Sequence, residues 1–265
     1  MNQRQQEILL LVQQQGFVAI ETLAQNFKVT PQTIRRDINT LCDKQLLTRF
    51  HGGAGPSYSV ENLEYSTRQV MHLAEKRGIA QLTAQQIPDR ASIFINIGTT
   101  TEEVAKALQK HSNLRIITNN LNVASILRCN PSFEIIIAGG SVRQRDGGIT
   151  GEATIDFIRQ FKVDFGIVGI SCIDVDGALL DYDYHEVRVA QAIIENSRKV
   201  FLVADHSKFD RYAMVRLGSI TQVDALFTDQ SPPPHLVSIL KEAGVELHIT
   251  DSPNVTKNQL TEVSN

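Results

Sequence analysis

Between residues 76 and 250 one pattern recurs, and it leaves few folds open. Short apolar runs at 92–97, 115–118, 134–138, 164–169, 199–204, 225–228 and 245–249 alternate with helical periodicities at 79–87, 101–110, 121–128, 152–161, 185–197 and 234–243. Strands alternating with helices predict a mainly parallel sheet covered by helices, an α/β fold. In such sheets ligands sit at the carboxyl ends of the strands. The loops that follow the strands are therefore where a site is expected.

Residues 1–56 read differently. Apolar positions Ile8, Leu11 and Val12 predict a helix from about residue 3 to 15, ended by Gly16. Ile20, Leu23, Ala24 and Phe27 predict a second over 20–27. Ala19 precedes it where a Ser or Thr cap often stands, which costs about 1 kcal/mol of local stability. A third is expected over 30–44, started by the Thr30 hydroxyl and by Pro31, whose missing N–H costs nothing at the first helical position. On it Ile34, Ile38 and Leu41 share one face. Gln32, Arg36 and Asn39 point the opposite way, with Thr33 and Arg35 on the flanks. Amides and guanidiniums are the side chains best shaped to read adenine and guanine. Alone, an Arg-Arg pair is a solvated helix face. Here a short helix, a tight turn and a longer polar-faced helix make a helix-turn-helix over about 20–44, whose second helix enters the major groove. The alternating stretch 46–54, turned at Gly52-Gly53, predicts a β-hairpin wing with Arg49 and His51 positioned to meet the phosphate backbone or minor groove, although His51 alone reads as an ordinary loop histidine.

Charge follows the same division. The chain carries a net −3, with +2 in residues 1–56 and −5 in the remainder, as suits a nucleic-acid-reading head on a body that does not bind nucleic acid. Turn-rich 55–59 marks a boundary, and 57–75 reads as a linker. The Lys76-Arg77 pair reads as a solvated helix face, 232–234 as a stiff loop, and the polar tail 251–265 as disordered. Three cysteines far apart offer neither a disulfide framework nor zinc spacing, which suits a reducing cytoplasm. The histidines show no ligand pattern, so no metal site is expected. No signal peptide or membrane span is expected either.

Four loops are informative. Gly98-Thr99-Thr100-Thr101 follows the first strand and opens a helix. Close backbone approach, three hydroxyls and free N–H groups would cradle an anion, best a phosphate, although a threonine run also serves as a plain cap. Asn119-Asn120 offers two amides for hydroxyl groups, or simply a turn. Gly139-Gly140 with Arg143, and Gly147 to Glu152 beyond, allow close approach and supply a charge. Asp205-His206-Ser207-Lys208 supplies a lysine. Together they outline a small, hydroxylated, phosphorylated ligand.

Arg4, Ile8 and Val12, then Thr30-x-x-Thr33-Ile34-Arg35-Arg36-Asp37-Ile38, then Arg49-x-His51-Gly52-Gly53-Ala54 resemble the winged helix-turn-helix signature of the DeoR family. The resemblance implies a recognition helix over 30–44, with Thr30, Gln32, Thr33, Arg35, Arg36, Asn39, Arg49 and His51 contacting operator DNA. Asp37 would be a structural partner that orients a neighbouring arginine. It implies a sugar-phosphate-isomerase-like effector domain over 76–250 and a homo-oligomer, dimer or tetramer. Gly98, Thr99, Thr100 and Thr101 would bind phosphate. Asn119, Asn120, Gly139, Gly140, Arg143, Glu152, Glu186 and Lys208 would line the rest of the pocket. Blocks such as Thr118-Asn119-Asn120-Leu121-Asn122, Arg145-Asp146-Gly147-Gly148-Ile149 and Asp183-Tyr184-His185-Glu186-Val187-Arg188 are similar to one branch of the family. That similarity implies glycerol 3-phosphate as effector and glycerol catabolic and uptake genes as targets. One departure is Ala190, where the family commonly has a lysine. A repressor needing no cofactor is the reading that follows. A regulator answering another sugar phosphate, an activator, and a sugar-phosphate isomerase are the alternatives, the last resting on fold analogy and on carboxylates such as Asp181, Asp183 and Glu186.

Overall fold

The computed structural model describes residues 2–15, 17–44, 46–50, 52–56 and 65–250, with the side chains of 13–15, 56 and 67 left aside. Gly16 as a helix stop, His51 and the tail 251–265 therefore lie outside the described residues, as does 57–64 of the linker.

The head is three helices and a small sheet. Helix α1 (Gln3–Gln15), strand β1 (Val18–Ala19), α2 (Ile20–Phe27), α3 (Pro31–Asp43), β2 (Leu47–Phe50) and β3 (Gly53–Pro56) follow in order. Thr30 caps α3, its hydroxyl accepting from the Thr33 N–H at 3.3 Å, whereas Ala19 gives α2 no side-chain cap. Ile8, Val12, Leu23, Ile34, Ile38, Leu41 and Leu47 form one buried core. The hairpin β2–β3 is antiparallel, and β1 adds to it through Val18 opposite Ala54. Gly53 is required there: a Cβ would lie 2.4 Å from the Phe17 ring and 2.5 Å from the Val18 carbonyl.

The body begins with two helices, α4 (Tyr65–Val70) and α5 (Leu73–Gln85). They occupy the second half of the stretch read as linker. Helix α5 starts six residues before the 79–87 periodicity because Glu75, Lys76 and Arg77 obscure its apolar face. Lys76 corrects the reading of that pair: Arg77 is exposed, but Lys76 is buried, its ammonium donating to the carbonyls of Arg68 and Met71. The carbonyls ending a short helix have no helical partners, and the lysine supplies them.

Then come β4 (Ser92–Ile95), α6 (Thr99–Ala107), β5 (Arg115–Thr118), α7 (Leu121–Leu127), β6 (Glu134–Ile137), β7 (Ser141–Val142), β8 (Ile149–Thr150), α8 (Glu152–Ile158) and β9 (Val163–Gly169). The rest is β10 (Cys172–Ile173), β11 (Ala178–Asp181), α9 (Tyr184–Glu195), β12 (Ser197–Val203), β13 (Val215–Ser219), β14 (Ala225–Thr228), α10 (Pro234–Ala243) and β15 (Glu246–Ile249). Seven strands make one parallel sheet in the order β15-β14-β12-β9-β4-β5-β6. Successive side chains leave opposite faces of a strand. Ile93 and Ile95 thus join a core with α5, α6 and α7, while Phe94 between them joins one with α8, α9 and α10. The same alternation separates Ile116 from Ile117 and Ile167 from Val168. From β4 the chain runs outward to β5 and β6, then returns to β9 on the other side of β4. The order therefore reverses between β4 and β9, and a crevice opens at their carboxyl ends. A three-stranded antiparallel sheet, β10-β11-β13, lies beyond. Among the described residues no helix is long and apolar enough to cross a membrane.

Candidate functional site

Two regions carry the residues singled out from the sequence. On the head, Thr30, Gln32, Arg35, Arg36 and Asn39 are exposed along one side of α3 and Thr33 is half-buried, while Ile34, Ile38 and Leu41 fill the core beneath. The buried Asp37 carboxylate accepts from Arg4 Nε at 2.6 Å and Gln5 Nε2 at 2.9 Å. It ties α1 to α3 and so holds the polar face outward. Its arginine is Arg4, thirty-three residues away in the chain, and not a neighbour on α3, since Arg35 and Arg36 are both left on the surface. Arg49 on the wing donates to Asn39 Oδ1 at 3.2 Å, joining wing and helix in one face.

The second region is the carboxyl edge of the large sheet. Gly98, at φ +149°, leads into α6, whose first turn is Thr99, Thr100 and Thr101, all buried. Thr101 is occupied: its hydroxyl lies 2.8 Å from the carbonyls of both Asn96 and Gly98 and shapes the loop. Asn120 is also occupied, capping α7 through the N–H groups of Asn122 and Val123 and donating to Glu102 at 3.1 Å. Asn119 donates to the Ile149 carbonyl at 3.1 Å, but its side-chain oxygen has no partner among the described residues. Asn96 Oδ1, Asp205 Oδ2 and Thr228 Oγ1 are in the same condition. All four follow or end a parallel strand, at β4, β5, β12 and β14. Buried polar atoms are nearly always bonded, so an array of acceptors along this edge points to hydroxyl donors from outside.

Charge is arranged around the same edge. Arg143 pairs with Asp146 at 2.7 Å, Asp183 at 3.0 Å and Glu186 at 2.7 Å. Burial works against its charge, and Glu186, Asp146 and Asp183 outweigh that and hold it protonated. Its charge is thus taken up inside the protein. Carboxylates outnumber it, and burial together with nearby Asp181 pushes Glu186 up to about 7. Burial likewise raises Asp181 and lowers Lys208. Asp205 moves the other way: burial opposes its charge, but Lys208 and the Ser207 hydroxyl hold it at about 2. Helix α4 lies against this edge. Tyr65 donates to Glu102 at 2.7 Å, Asn122 donates to Tyr65 at 2.9 Å, and Arg68 approaches Asp146 at 3.8 Å.

The edge brings together Gly98 to Thr101, Asn119, Asn120, Arg143, Glu186 and Lys208. Gly139 and Gly140 follow the edge strand β6. A Cβ on Gly140 would meet Thr154 Oγ1 at 2.1 Å, so this glycine serves packing against α8. Glu152 stands exposed at the start of α8, 3.4 Å from Arg188. Sequence reasoning missed Tyr65, Arg68, Lys76 and Asn96. Only Asn96 carried a signal, two residues before the Gly98 loop; nothing local marked Tyr65, Arg68 or Lys76. Among the described residues no cluster could hold a metal ion.

A three-helix head with a β wing, joined to a doubly wound α/β domain whose crevice is lined for a small ligand, defines a winged helix-turn-helix protein with an appended sensor. Family models agree on both parts, a DeoR-like helix-turn-helix domain at residues 4–59 and a DeoR C terminal sensor domain at 71–230. The chain belongs to the DeoR family, as a helix-turn-helix DNA-binding domain followed by that family's sensor domain. It is 55% identical over 247 residues to the glycerol-3-phosphate regulon repressor of Escherichia coli strain K12, covering 93% of this chain and 98% of that one. The repressor of the same description from Haemophilus influenzae is 55% identical, over 92% and 95% of the two chains. The transcriptional repressor CsqR of E. coli is 43% identical, over 93% and 94%. Half of the chain (51%) also matches 52% of ribose 5 phosphate isomerase A from Neisseria gonorrhoeae, at 14% identity and a TM-score of 0.38.

Proposed function

We propose that this protein represses glycerol and glycerol 3-phosphate catabolic and uptake genes in the cytoplasm, and that glycerol 3-phosphate releases it from operator DNA. The exposed Gln32, Arg35, Arg36 and Asn39 face on a capped, anchored α3 is the observation that carries the DNA-binding half. The likeness to repressors named for glycerol 3-phosphate, over nearly the whole chain, supports the choice of genes and effector. Cations and unpartnered acceptors at one sheet edge suit a phosphorylated polyol. Paired subunits of a dimer or tetramer would place two recognition helices in successive major-groove sites. The reading is of a binding protein rather than an isomerase. Ala190, where the family commonly has a lysine, is buried and offers no base.

The test is operator binding to the upstream regions of glycerol-utilisation genes, followed by fluorescence anisotropy. Glycerol 3-phosphate should release the DNA, and fructose or ribose phosphates at equal concentration should not. Release by one of those instead would keep the regulator and replace its effector.

A further inference from the structure

Arg211 reaches the DNA-binding head from the sensor, and it is held firmly on the sensor side. Its backbone N–H donates to the Ile173 carbonyl at 3.3 Å, and its guanidinium donates to the Tyr182 hydroxyl at 3.3 Å. Ile173 ends β10 and Tyr182 directly follows β11, so both anchors belong to the small antiparallel sheet. Two residues on, Ala213 packs against Cys172, Ala178 and Leu180 of that sheet. The neighbouring carboxylate is taken, because Asp210 pairs with His235 at 3.2 Å. The Arg211 guanidinium lies instead over the Phe50 ring, 4.9 Å from its centroid. At this range the negative face of an aromatic ring attracts a cation. Phe50 is placed for the contact by its strand. Successive residues of a strand face opposite ways, so Arg49 and Phe50 of β2 point apart. Arg49 joins the recognition face through Asn39. Phe50 is backed within the head by Phe17, edge-to-face at 6.0 Å. One strand of the wing thus serves both sides. Gln32, Arg35, Arg36 and Asn39 all stay exposed while the contact is made, so docking leaves the DNA face open.

We propose that the β10-β11-β13 sheet is the docking platform of the wing and that Arg211 is the positioning residue that holds it there. The guanidinium clasped over Phe50 fixes each head in one orientation on its sensor, so two heads of an oligomer meet the two halves of an operator already aligned. Ordering a mobile head at the moment of binding lowers affinity, and a head held beforehand avoids that loss. The inference rests on α3 as the recognition helix and on paired subunits, and is independent of which genes or effector the protein serves.

Arg211→Ala tests it in the full-length protein, titrated by anisotropy against a complete operator and against a fragment carrying one operator half. Affinity for the complete operator should fall about fivefold, the size of one such contact, and affinity for the half should not change. Undiminished binding to the complete operator overturns the proposal, and so does an equal loss on both DNAs, which a damaged head would give. Arg211→Lys keeps a cation over the ring and should restore most of the affinity; binding no better than that of Arg211→Ala overturns the proposal. Phe50→Leu removes the other partner. Adding Arg211→Ala to it should weaken binding no further, because residues that share one contact are not additive; losses that multiply overturn the proposal. Amide hydrogen exchange over residues 47–50 needs no DNA. It should quicken about fivefold in Arg211→Ala, because the wing opens locally more often. Unchanged exchange overturns the docking. Failure of the parent protein to bind the glycerol-gene regions would instead overturn only the choice of operator, and exchange would still decide the clasp.

Discussion

Asp37 and Arg36 stand next to each other on α3 and do opposite things. Asp37 is buried and bonded to Arg4 and Gln5, while Arg36 projects into solvent. Arg36→Ala should weaken operator binding by about 1–3 kcal/mol if the guanidinium reads a base, or flatten the salt dependence by about one unit of slope if it meets a phosphate. Glycerol 3-phosphate affinity, measured by calorimetry, should not change. Asp37→Ala should instead destabilise the head by about 2 kcal/mol, less than a fully buried pair because Arg4 is partly exposed; urea unfolding of the head checks it. At this scale the sequence was informative where a residue's role follows from its own helix. Helical spacing separated Ile34, Ile38 and Leu41 from Gln32, Arg36 and Asn39, and all six stand where the spacing places them. Asp37's partners were not legible, because a hydrogen bond across thirty-two or thirty-three residues leaves no local trace. Nor was the fate of Lys76, since a charge pair on a helix looks solvated until the packing above it is known.

Among the elements, the seven strands of the parallel sheet coincide with the seven apolar runs, because burial on both faces makes the inner runs continuous, while the edge strands β6 and β15 are only half-buried. The antiparallel strands β10, β11 and β13 were not read. Cys172–Ile173 is two residues long, and β11 carries a register shift between Leu179 and Leu180. The loop between β7 and β8 and the start of α9 meet in the cluster of Arg143, Asp146, Asp183 and Glu186. Its pH response follows from Glu186. The native carboxyl titrates near 7, raised by burial and Asp181 from an ordinary 4.5. Between those values the unfolded chain has given up a proton that the native protein keeps. Stability should therefore fall as pH rises from about 4.5 to about 7, by up to roughly 3 kcal/mol, and level off above. Urea midpoints across that range check this, and Glu186→Gln should remove the step. At the start of α6, Thr99→Val should reduce release by glycerol 3-phosphate while operator binding without it is kept, as an anisotropy titration would show.

In the whole molecule the head and sensor touch directly. Arg211, in the loop after the Lys208 turn, lies 4.9 Å from the Phe50 ring centroid on the wing and donates to Tyr182 at 3.3 Å. This loop thus gives the sensor a physical contact through which a ligand can bias the head. Coupling of this kind is a free energy between sites and must be reciprocal. The most direct test of the account is calorimetric titration of glycerol 3-phosphate into the protein alone and into the protein saturated with operator. The account predicts weaker effector binding in the presence of operator, by the same factor by which effector weakens operator binding. Equal affinity in both titrations would contradict it.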